Sequence, residues 1–208
     1  MRTVTYVEEI KGGRGRSNVY LDEAFAFSLY KTEICDLEIK TGDPLPEEAY
    51  LKIINEILPK RARLRAMHLL AKRPYTEAKL REKLKCAGYT ENAIEAALDY
   101  VKSFNYIDDL SYAKDFIEYN KGIKNKKRLI SDLMQKGVDK ETIYTALDEV
   151  FEDGSMDITE QGIIEKELRK KRFSPDADYT DRAKIIASLL RKGFSMEAIN
   201  ISISNFSN

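Results

Sequence analysis

Short stretches rich in lysine and arginine are the part of this 208-residue sequence best suited to chemistry, namely to the binding of anions. The stretch KGIKNKKR at 121–128 contains five bases and no acid, and further bases gather at 60–85 and at 169–172. Such clusters are typical of surfaces that bind nucleic-acid phosphates or acidic protein partners. The candidate binding residues are Arg63, Arg65, Lys72, Arg73, Arg81, Lys85, Lys121, Lys124, Lys126, Lys127, Arg128, Lys170, Lys171 and Arg172.

The charge distribution supports a binding surface in the middle of the chain. The 35 bases and 35 acids cancel overall, but residues 60–140 contain 19 bases against 11 acids. The alternative interpretation is a solvated helix face whose cations lie favourably near helix C-termini. That alternative suits residues 169–172 better than residues 121–128. We therefore favour the binding of a polyanion or an acidic partner at the basic clusters.

Residues that could catalyse a reaction or hold a metal are few. The chain has one histidine, His68, on a predicted amphipathic helix, and it lacks the HExxH, CxxC, GxSxG and GxxxxGK[ST] motifs. The glycine-rich stretch GGRGRS at 12–17 does not open a helix after a strand, as a phosphate-binding P-loop does. Asp108 and Asp109 could share a metal, but a helix cap followed by a first-turn acid explains them better. We predict no catalytic residue, no metal site and no cofactor, and a nuclease using this acidic pair remains an open alternative.

A spacing pattern that occurs three times indicates which elements position the bases. Apolar residues and a glycine at 80, 84, 88, 94, 98 and 101 recur 49 residues later, and again 56 residues after that. Each copy predicts a helix ended by a glycine, because glycine readily adopts the positive φ found after a helix C-terminus. Thr90, Asp139 and Ser195 are then expected to cap the next helix. A longer helix precedes each pair, at about 60–72, 109–121 and 158–172.

The sequence therefore predicts a mainly α fold, an elongated, curved array of three tandem three-helix repeats with a small N-terminal β-ribbon or meander. The stretches TVTYVEE, NVYL and FAFSL predict strands that could cap the first helical repeat, with helices near 31–38 and 47–57. The helical spacing of three aromatic residues in the second repeat predicts core positions for Tyr112, Phe116 and Tyr119. The expected segments are an extension at 1–59 and repeats at 60–107, 108–153 and 154–208.

The cysteines and the distribution of apolar residues indicate the cellular compartment in which the protein is expected to act. Cys35 and Cys86 lack CxxC spacing, which indicates reduced thiols in a cytoplasmic protein. No run reaches the roughly 18 apolar residues of a membrane span. The N-terminal stretch MRTVTYVEEIKGG lacks the apolar segment of a signal peptide. We expect a cytoplasmic monomer that does not associate with membranes.

Residues 65–116 resemble the signature region of the RecX family, the bacterial regulators of the RecA recombinase. NKGIKNKKRLISDLMQKGV at 120–138 is similar to the second unit of that family, and LLRKGFSMEAI at 189–199 to its third. NVYLDEAFAFSL and KTGDPL resemble the N-terminal extension of some members, so the resemblance covers essentially the whole chain. The signature residues are Ala66, Leu69, Leu70, Arg73, Leu80, Leu84, Gly88, Ile94, Leu98, Tyr106, Asp108, Asp109, Tyr112, Ala113 and Phe116.

The resemblance implies a modulator of RecA that is not itself an enzyme. Such proteins lie along the groove of the RecA–single-stranded-DNA filament, bridge neighbouring protomers and suppress recombination and co-protease activity. The resemblance then implies that the basic clusters are attracted to DNA phosphates or to acidic surfaces of the filament. The alternative is a helical DNA-binding transcription regulator, because a pair of short helices can act as a helix-turn-helix motif.

Overall fold

The computed structural model describes residues 2–13, 15–151, 160–174 and 178–206. The chain forms two compact units, an N-terminal unit at Met1–Asp108 and a C-terminal unit at Asp109–Asn208. The described residues are mainly helical, as the sequence predicts, and a small β-sheet lies in the N-terminal unit. No helix of the described ranges is long and apolar enough to cross a membrane.

The N-terminal sheet is antiparallel, with strand order β3-β2-β1-β4. The predicted meander corresponds to β1 (Arg2–Glu9), β2 (Arg16–Leu21) and β3 (Ala24–Tyr30). Asp22 and Glu23 join β2 to β3 with φ of 48° and 70°, as a two-residue hairpin turn of the primed type requires. The prediction missed β4 (Pro44–Leu45), a two-residue strand that pairs with the start of β1.

Residues 47–70 form one uninterrupted helical run after the short helix α1 (Lys31–Asp36). The run consists of α2 (Glu47–Lys52), a π-helical segment (Ile53–Ile57) and α3 (Leu58–Leu70). The prediction of separate helices near 47–57 and 60–72 was therefore wrong. A proline inside a helix lacks an N–H and crowds the carbonyl four residues earlier. Here a wider π segment ends at Ile57, two residues before Pro59, and the helix continues past the proline.

The first three-helix repeat consists of α3, α4 (Glu77–Cys86) and α5 (Glu91–Ser103). It shares one hydrophobic core with the sheet, because Val19 and Phe27 on the strands and Leu80 and Leu98 on the helices are all fully buried in a single cluster. Arg61 of α3 adds a polar link, since its Nη1 donates to the Ser28 carbonyl at 3.1 Å. The sheet thus packs on the first repeat, as expected.

The C-terminal unit contains two further repeats. Repeat 2 consists of α6 (Asp109–Asn120), α7 (Lys126–Gln135) and α8 (Lys140–Phe151). Repeat 3 consists of α9 (Glu160–Lys170), α10 (Tyr179–Arg191) and α11 (Met196–Phe206). The predicted start of the third long helix at 158 lies outside the described residues. Each repeat has its own hydrophobic core.

The turn between the second and third helices is the same in all three repeats. Gly88, Gly137 and Gly193 have φ of 83°, 83° and 94°. The residue after each glycine donates its N–H to the carbonyl five residues earlier, at 3.4, 3.2 and 3.3 Å, which is the Schellman hydrogen bond. The repeated apolar positions are all buried or half-buried in their cores. The threefold repeat and its glycine-terminated helices are confirmed.

Two of the three predicted cap residues form a side-chain cap hydrogen bond. Asp139 accepts the N–H of Thr142 at 2.9 Å, and Ser195 accepts the N–H of Ala198 at 3.1 Å. Thr90 has the extended backbone of a cap residue, but its hydroxyl is buried and has no hydrogen-bond partner among the described residues. Thr90 is therefore the N-cap residue of α5, as predicted, but the side-chain hydrogen bond expected of a cap is absent.

The aromatic residues of α6 do not all lie in the core. Tyr112 and Phe116 pack at its edge, whereas Tyr119 is 81% exposed. The buried face of α6 is defined by Ala113 and Ile117, and a residue two positions after Ile117 lies about 200° around the helix from it. The core prediction for Tyr119 was therefore wrong.

Candidate functional site

The predicted basic residues concentrate at the connections between the first and second helices of the repeats. In repeat 1 this connection spans residues 71–76, and Lys72 and Arg73 are exposed there. The Arg73 guanidinium lies 4.7 Å from the centroid of the Tyr75 ring, an arrangement that holds the charge on the surface. These two side chains are free to meet an anionic partner from solvent.

In repeat 2 the bases occupy the first turn of α7. Asn125 caps this helix, because its Oδ1 accepts the N–H of Arg128 at 2.8 Å. Lys126 and Lys127 are exposed and form no ion pair with any residue that the structure describes. Arg128 donates from Nε to Asp132 at 2.9 Å. The two lysines therefore carry the uncompensated charge of the cluster.

The remaining bases of repeat 2 have acidic neighbours. Lys121 pairs with Glu118 at 2.8 Å, and Lys124 pairs with Asp132 at 2.9 Å. The Lys124 ammonium also lies 5.1 Å from the centroid of the Phe116 ring. The positive charges of these two lysines are therefore partly neutralised, unlike those of Lys126 and Lys127.

The first turn of α7 is an unusual place for cations. The partial positive charge of a helix N-terminus favours acids there and disfavours bases, yet α7 has no acid in its first turn. The other helices that follow a loop in the three repeats each carry a first-turn acid, namely Glu77, Glu91, Asp109, Glu141, Glu160, Asp181 and Glu197. Helix stability therefore does not account for the bases of α7, whereas an anionic partner would.

The bases of repeat 3 have a different electrostatic setting. Lys170 ends α9, and Lys171 and Arg172 follow it, all three exposed. Cations are favourable near the negative end of a helix, so stability alone accounts for this cluster. Arg172 has φ of 51°, which places it in the left-handed conformation found after helix C-termini.

The other candidates of repeat 1 divide into exposed and paired residues. Arg63, Arg65 and Lys85 are exposed, and Arg63 donates from Nε to the Ala96 carbonyl at 3.4 Å. Arg81 contacts three carboxylates, with distances of 3.5 Å to Glu77, 2.6 Å to Glu91 and 2.5 Å to Glu95. Its charge is thus already balanced, and it ties α4 to α5.

Replacing Arg81 by alanine is expected to raise the pKa of Glu95. The hydrogen bond from Arg81 holds that pKa below its usual range. A carboxyl whose pKa is lowered by folding stabilises the fold at neutral pH, and this stabilisation is lost as the pH falls through the folded-state pKa. Carbon-detected NMR titration of the Glu95 carboxyl measures the change.

Glu82 is the internal control for this titration. A hydrogen bond from Lys79 lowers its pKa on the same helix, so the pKa of Glu82 should stay low in Arg81→Ala. An equal rise at both carboxyls would show a general loss of helix structure and would contradict the assigned pairing.

The connection before α7 also joins repeats 2 and 3, a contact that the sequence patterns did not predict. The Asn125 N–H donates to the Lys192 carbonyl at 3.2 Å, and its side-chain amide donates to the Gly193 carbonyl. A Cβ at Gly193 would lie 2.7 Å from the Cβ of Arg128, too close for two carbons. An asparagine just before a helix was the available signal for the cap, but nothing local indicated the second contact.

The described residues offer little for catalysis. No group of three or more His, Cys, Asp or Glu residues within them could hold a metal ion. Asp108 directly precedes α6 and Asp109 lies in its first turn, the positions expected of a cap and a first-turn acid. His68, Cys35 and Cys86 are exposed, and both thiols are free. The chemistry that the described arrangement supports is anion binding.

Two family models match this chain. They are described as the first three-helix domain of RecX, which matches residues 62–100, and the third three-helix domain of RecX, which matches residues 160–201. The first match lies within α3, α4 and α5, and the second covers α9, α10 and most of α11. Both matches therefore fall on three-helix repeats of the structure.

Curated relatives of this chain carry the same family name. Regulatory protein RecX of Clostridium botulinum strain Eklund 17B is 30% identical over 201 residues, covering 96% of this chain and 93% of the relative. Regulatory protein RecX of Clostridioides difficile strain 630 is 27% identical over 201 residues, with the same coverage.

Two crystal structures share the fold. A structure of regulatory protein RecX has a TM-score of 0.55 at 23% identity and covers 98% of this chain and 100% of its own. RecX from Lactobacillus salivarius has a TM-score of 0.52 at 23% identity and covers 72% and 97%. From the repeat, the two family models and the relative that is 30% identical over almost its full length, we conclude that the chain belongs to the RecX family of regulatory proteins.

Proposed function

We propose that this protein binds the RecA–single-stranded-DNA filament and inhibits the ATPase, recombinase and co-protease activities of RecA, without catalysing a reaction itself. Membership of a family of regulatory proteins supports the regulatory role, and the resemblance of the signature residues supports RecA as the partner. We further propose that it acts as a cytoplasmic monomer, away from membranes.

The first turn of α7 is the observation that carries the proposal. Lys126 and Lys127 lie exposed at a helix N-terminus, where the helix itself disfavours them. An anion placed there would meet both ammonium groups and the positive end of the helix together. DNA phosphates and acidic side chains of a protein filament are both suitable anions.

The basic clusters of repeats 1 and 3 are further candidate contact points, each within its own repeat. Lys72 and Arg73 of repeat 1, and Lys170, Lys171 and Arg172 of repeat 3, occupy the same connection within their repeats. We propose that these connections contact filament groups as well. A partner with a repeating structure of its own would meet one such connection per repeat.

The double charge reversal Lys126→Glu/Lys127→Glu tests the proposal. Arg128 is left unchanged because it pairs with Asp132 and packs beside Gly193. We expect substoichiometric wild-type protein to slow RecA ATPase and strand exchange. The variant should need about tenfold more protein for the same effect, since each lost charge-assisted contact weakens binding by about 1 kcal/mol or more.

Lys166→Glu/Lys184→Glu is the matched control, because it makes the same charge change at exposed positions of the same unit. It should inhibit like the wild type. Unchanged RecA rates with the wild-type protein would overturn the proposal, and so would equal losses in the two variants. A tight, sequence-dependent gel shift of duplex DNA without RecA would instead support a transcription regulator.

A further inference from the structure

A cavity of about 280 Å³ that opens to solvent lies at the surface of the N-terminal unit, apart from the connections described above. One wall is the glycine-rich turn between β1 and β2, with Gly12 and Gly13. The opposite wall comes from the turn after α4, with Ala87 and Tyr89. The volume is several times the roughly 30 Å³ that one water molecule occupies in the liquid. A small polyatomic anion with some of its water would fit.

Two arginines point their charge into this cavity. Arg16 begins β2 and donates to the carbonyls of Gly13 at 3.3 Å and Ala87 at 3.5 Å. A guanidinium has five N–H donors, so most of its hydrogen-bonding capacity remains for a ligand. Arg65 of α3 is exposed at the cavity. Neither arginine forms an ion pair with a residue of the described ranges.

Glu33, which contacts the backbone of the cavity residue Tyr30, is already paired with an arginine. Glu33 accepts from the Arg61 guanidinium at 3.0 Å and from the Tyr30 N–H at 2.7 Å. The described residues that line the cavity include no carboxylate. The charges of Arg16 and Arg65 therefore lack a counter-charge within the described fold, and an anion from solution would supply it.

Two tyrosines add polar groups to the wall. Tyr30 lines the cavity with its ring against the Arg61 guanidinium, 4.3 Å from the centroid. The Tyr89 hydroxyl donates to the Arg61 carbonyl at 3.4 Å, a long hydrogen bond that a better acceptor would displace. Burial raises the pKa of Tyr89, although Arg61, Arg16 and Arg65 oppose the rise. The hydroxyl therefore stays a protonated donor at neutral pH.

Gly13, in the turn that forms the outer wall, has no room for a side chain. A Cβ at Gly13 would lie 2.7 Å from the Ile10 Cβ, and Gly12 has φ of 72°. The turn leads into a strand and not into a helix, so it is not a P-loop.

We propose that this cavity binds a phosphate group, held by the guanidiniums of Arg16 and Arg65 and by the Tyr89 hydroxyl. Phosphate suits the cavity better than a carboxylate, because it carries more charge and more acceptor oxygens for two guanidiniums and a phenol. The group could belong to inorganic phosphate, to a small phosphorylated molecule or to a polynucleotide backbone. This proposal does not depend on RecA.

Amide NMR of the full chain tests it, with sodium phosphate or oligo(dT) added at constant ionic strength balanced by sodium chloride. Saturable shifts of the Gly12 and Gly13 amides are expected with at least one probe, and none with chloride alone. Arg65→Glu should weaken binding about tenfold or more. Lys60→Glu makes the same charge reversal at another exposed position of α3 and should leave the binding of inorganic phosphate unchanged.

The two probes distinguish the sources of the phosphate. If inorganic phosphate saturates the cavity and oligo(dT) does not displace it, the cavity binds small phosphorylated molecules. If oligo(dT) displaces the phosphate, the cavity binds a polynucleotide backbone. The absence of saturable shifts with both probes would overturn the proposal. Equal losses in the two variants would also overturn it, as would displacement of phosphate by polyglutamate at equal charge concentration. All these measurements omit RecA, so their failure is distinct from failure of the proposed regulation.

Discussion

Replacing Gly193 by alanine is expected to destabilise the C-terminal unit by about 3 kcal/mol. Part of the loss comes from the backbone, because φ is 94° and a side chain costs about 1 kcal/mol or more in this conformation. The larger part comes from packing. The added Cβ would lie 2.7 Å from the Arg128 Cβ and would also collide with the Asn125 side chain.

Hydrogen exchange of the backbone amides of α10 and α11 measures this change. Gly42→Ala is the matched control, since Gly42 has φ of 91° and no atom within 4 Å of an added Cβ. It should cost only about 1 kcal/mol, measured on the amides of the N-terminal unit. Equal costs at the two glycines would show that the contact between repeats 2 and 3 contributes nothing.

Replacing Lys192 by methionine is expected to cost about 3 kcal/mol in the same unit. The Lys192 ammonium lies 2.6 Å from Glu167, whose side chain is only 9% exposed. Removing one partner of a buried pair leaves a charge in a poorly solvated site, which is far more costly than the pair is favourable. Urea unfolding followed by circular dichroism measures the loss.

Two further variants distinguish the effect of an unpaired charge at Glu167 from a loss of packing at Lys192. Lys184→Met removes a pair with Asp181 whose side chains are 76% and 63% exposed, so it should change stability by about 0.5 kcal/mol or less. Lys192→Met/Glu167→Met removes both charges and should recover most of the loss. A double variant as unstable as Lys192→Met would contradict the explanation.

The repeat and its turns were predictable because their signals are local. Glycines at 88, 137 and 193 end helices through their own backbone preference, and the apolar residues around them define one face of each helix. Other features depended on distant contacts. The Asn125 side chain contacts the Gly193 carbonyl, 68 residues away in the chain, and no local spacing rule expresses such a contact.

The basic residues of the candidate site were predictable from the sequence, but the ion pairs that they form were not. Clusters of bases are visible in the sequence, whereas the acids that neutralise them often lie on another helix. Arg81 meets Glu91 and Glu95 across the turn between α4 and α5. The cavity beside Arg65 required Arg16 from a strand and Tyr89 from a turn. Only the packing of the sheet on repeat 1 brings these residues together.

The connections within the repeats differ in how much change they tolerate. The connections after the second helices, at 87–90, 136–139 and 192–195, all have the same length. Those after the first helices, at 71–76, 121–125 and 171–178, do not. Insertions and substitutions can therefore occur in these connections without changing the pairing of the second and third helices, except at Asn125, which contacts repeat 3. Evolution can thus retune what a repeat binds while the scaffold stays constant.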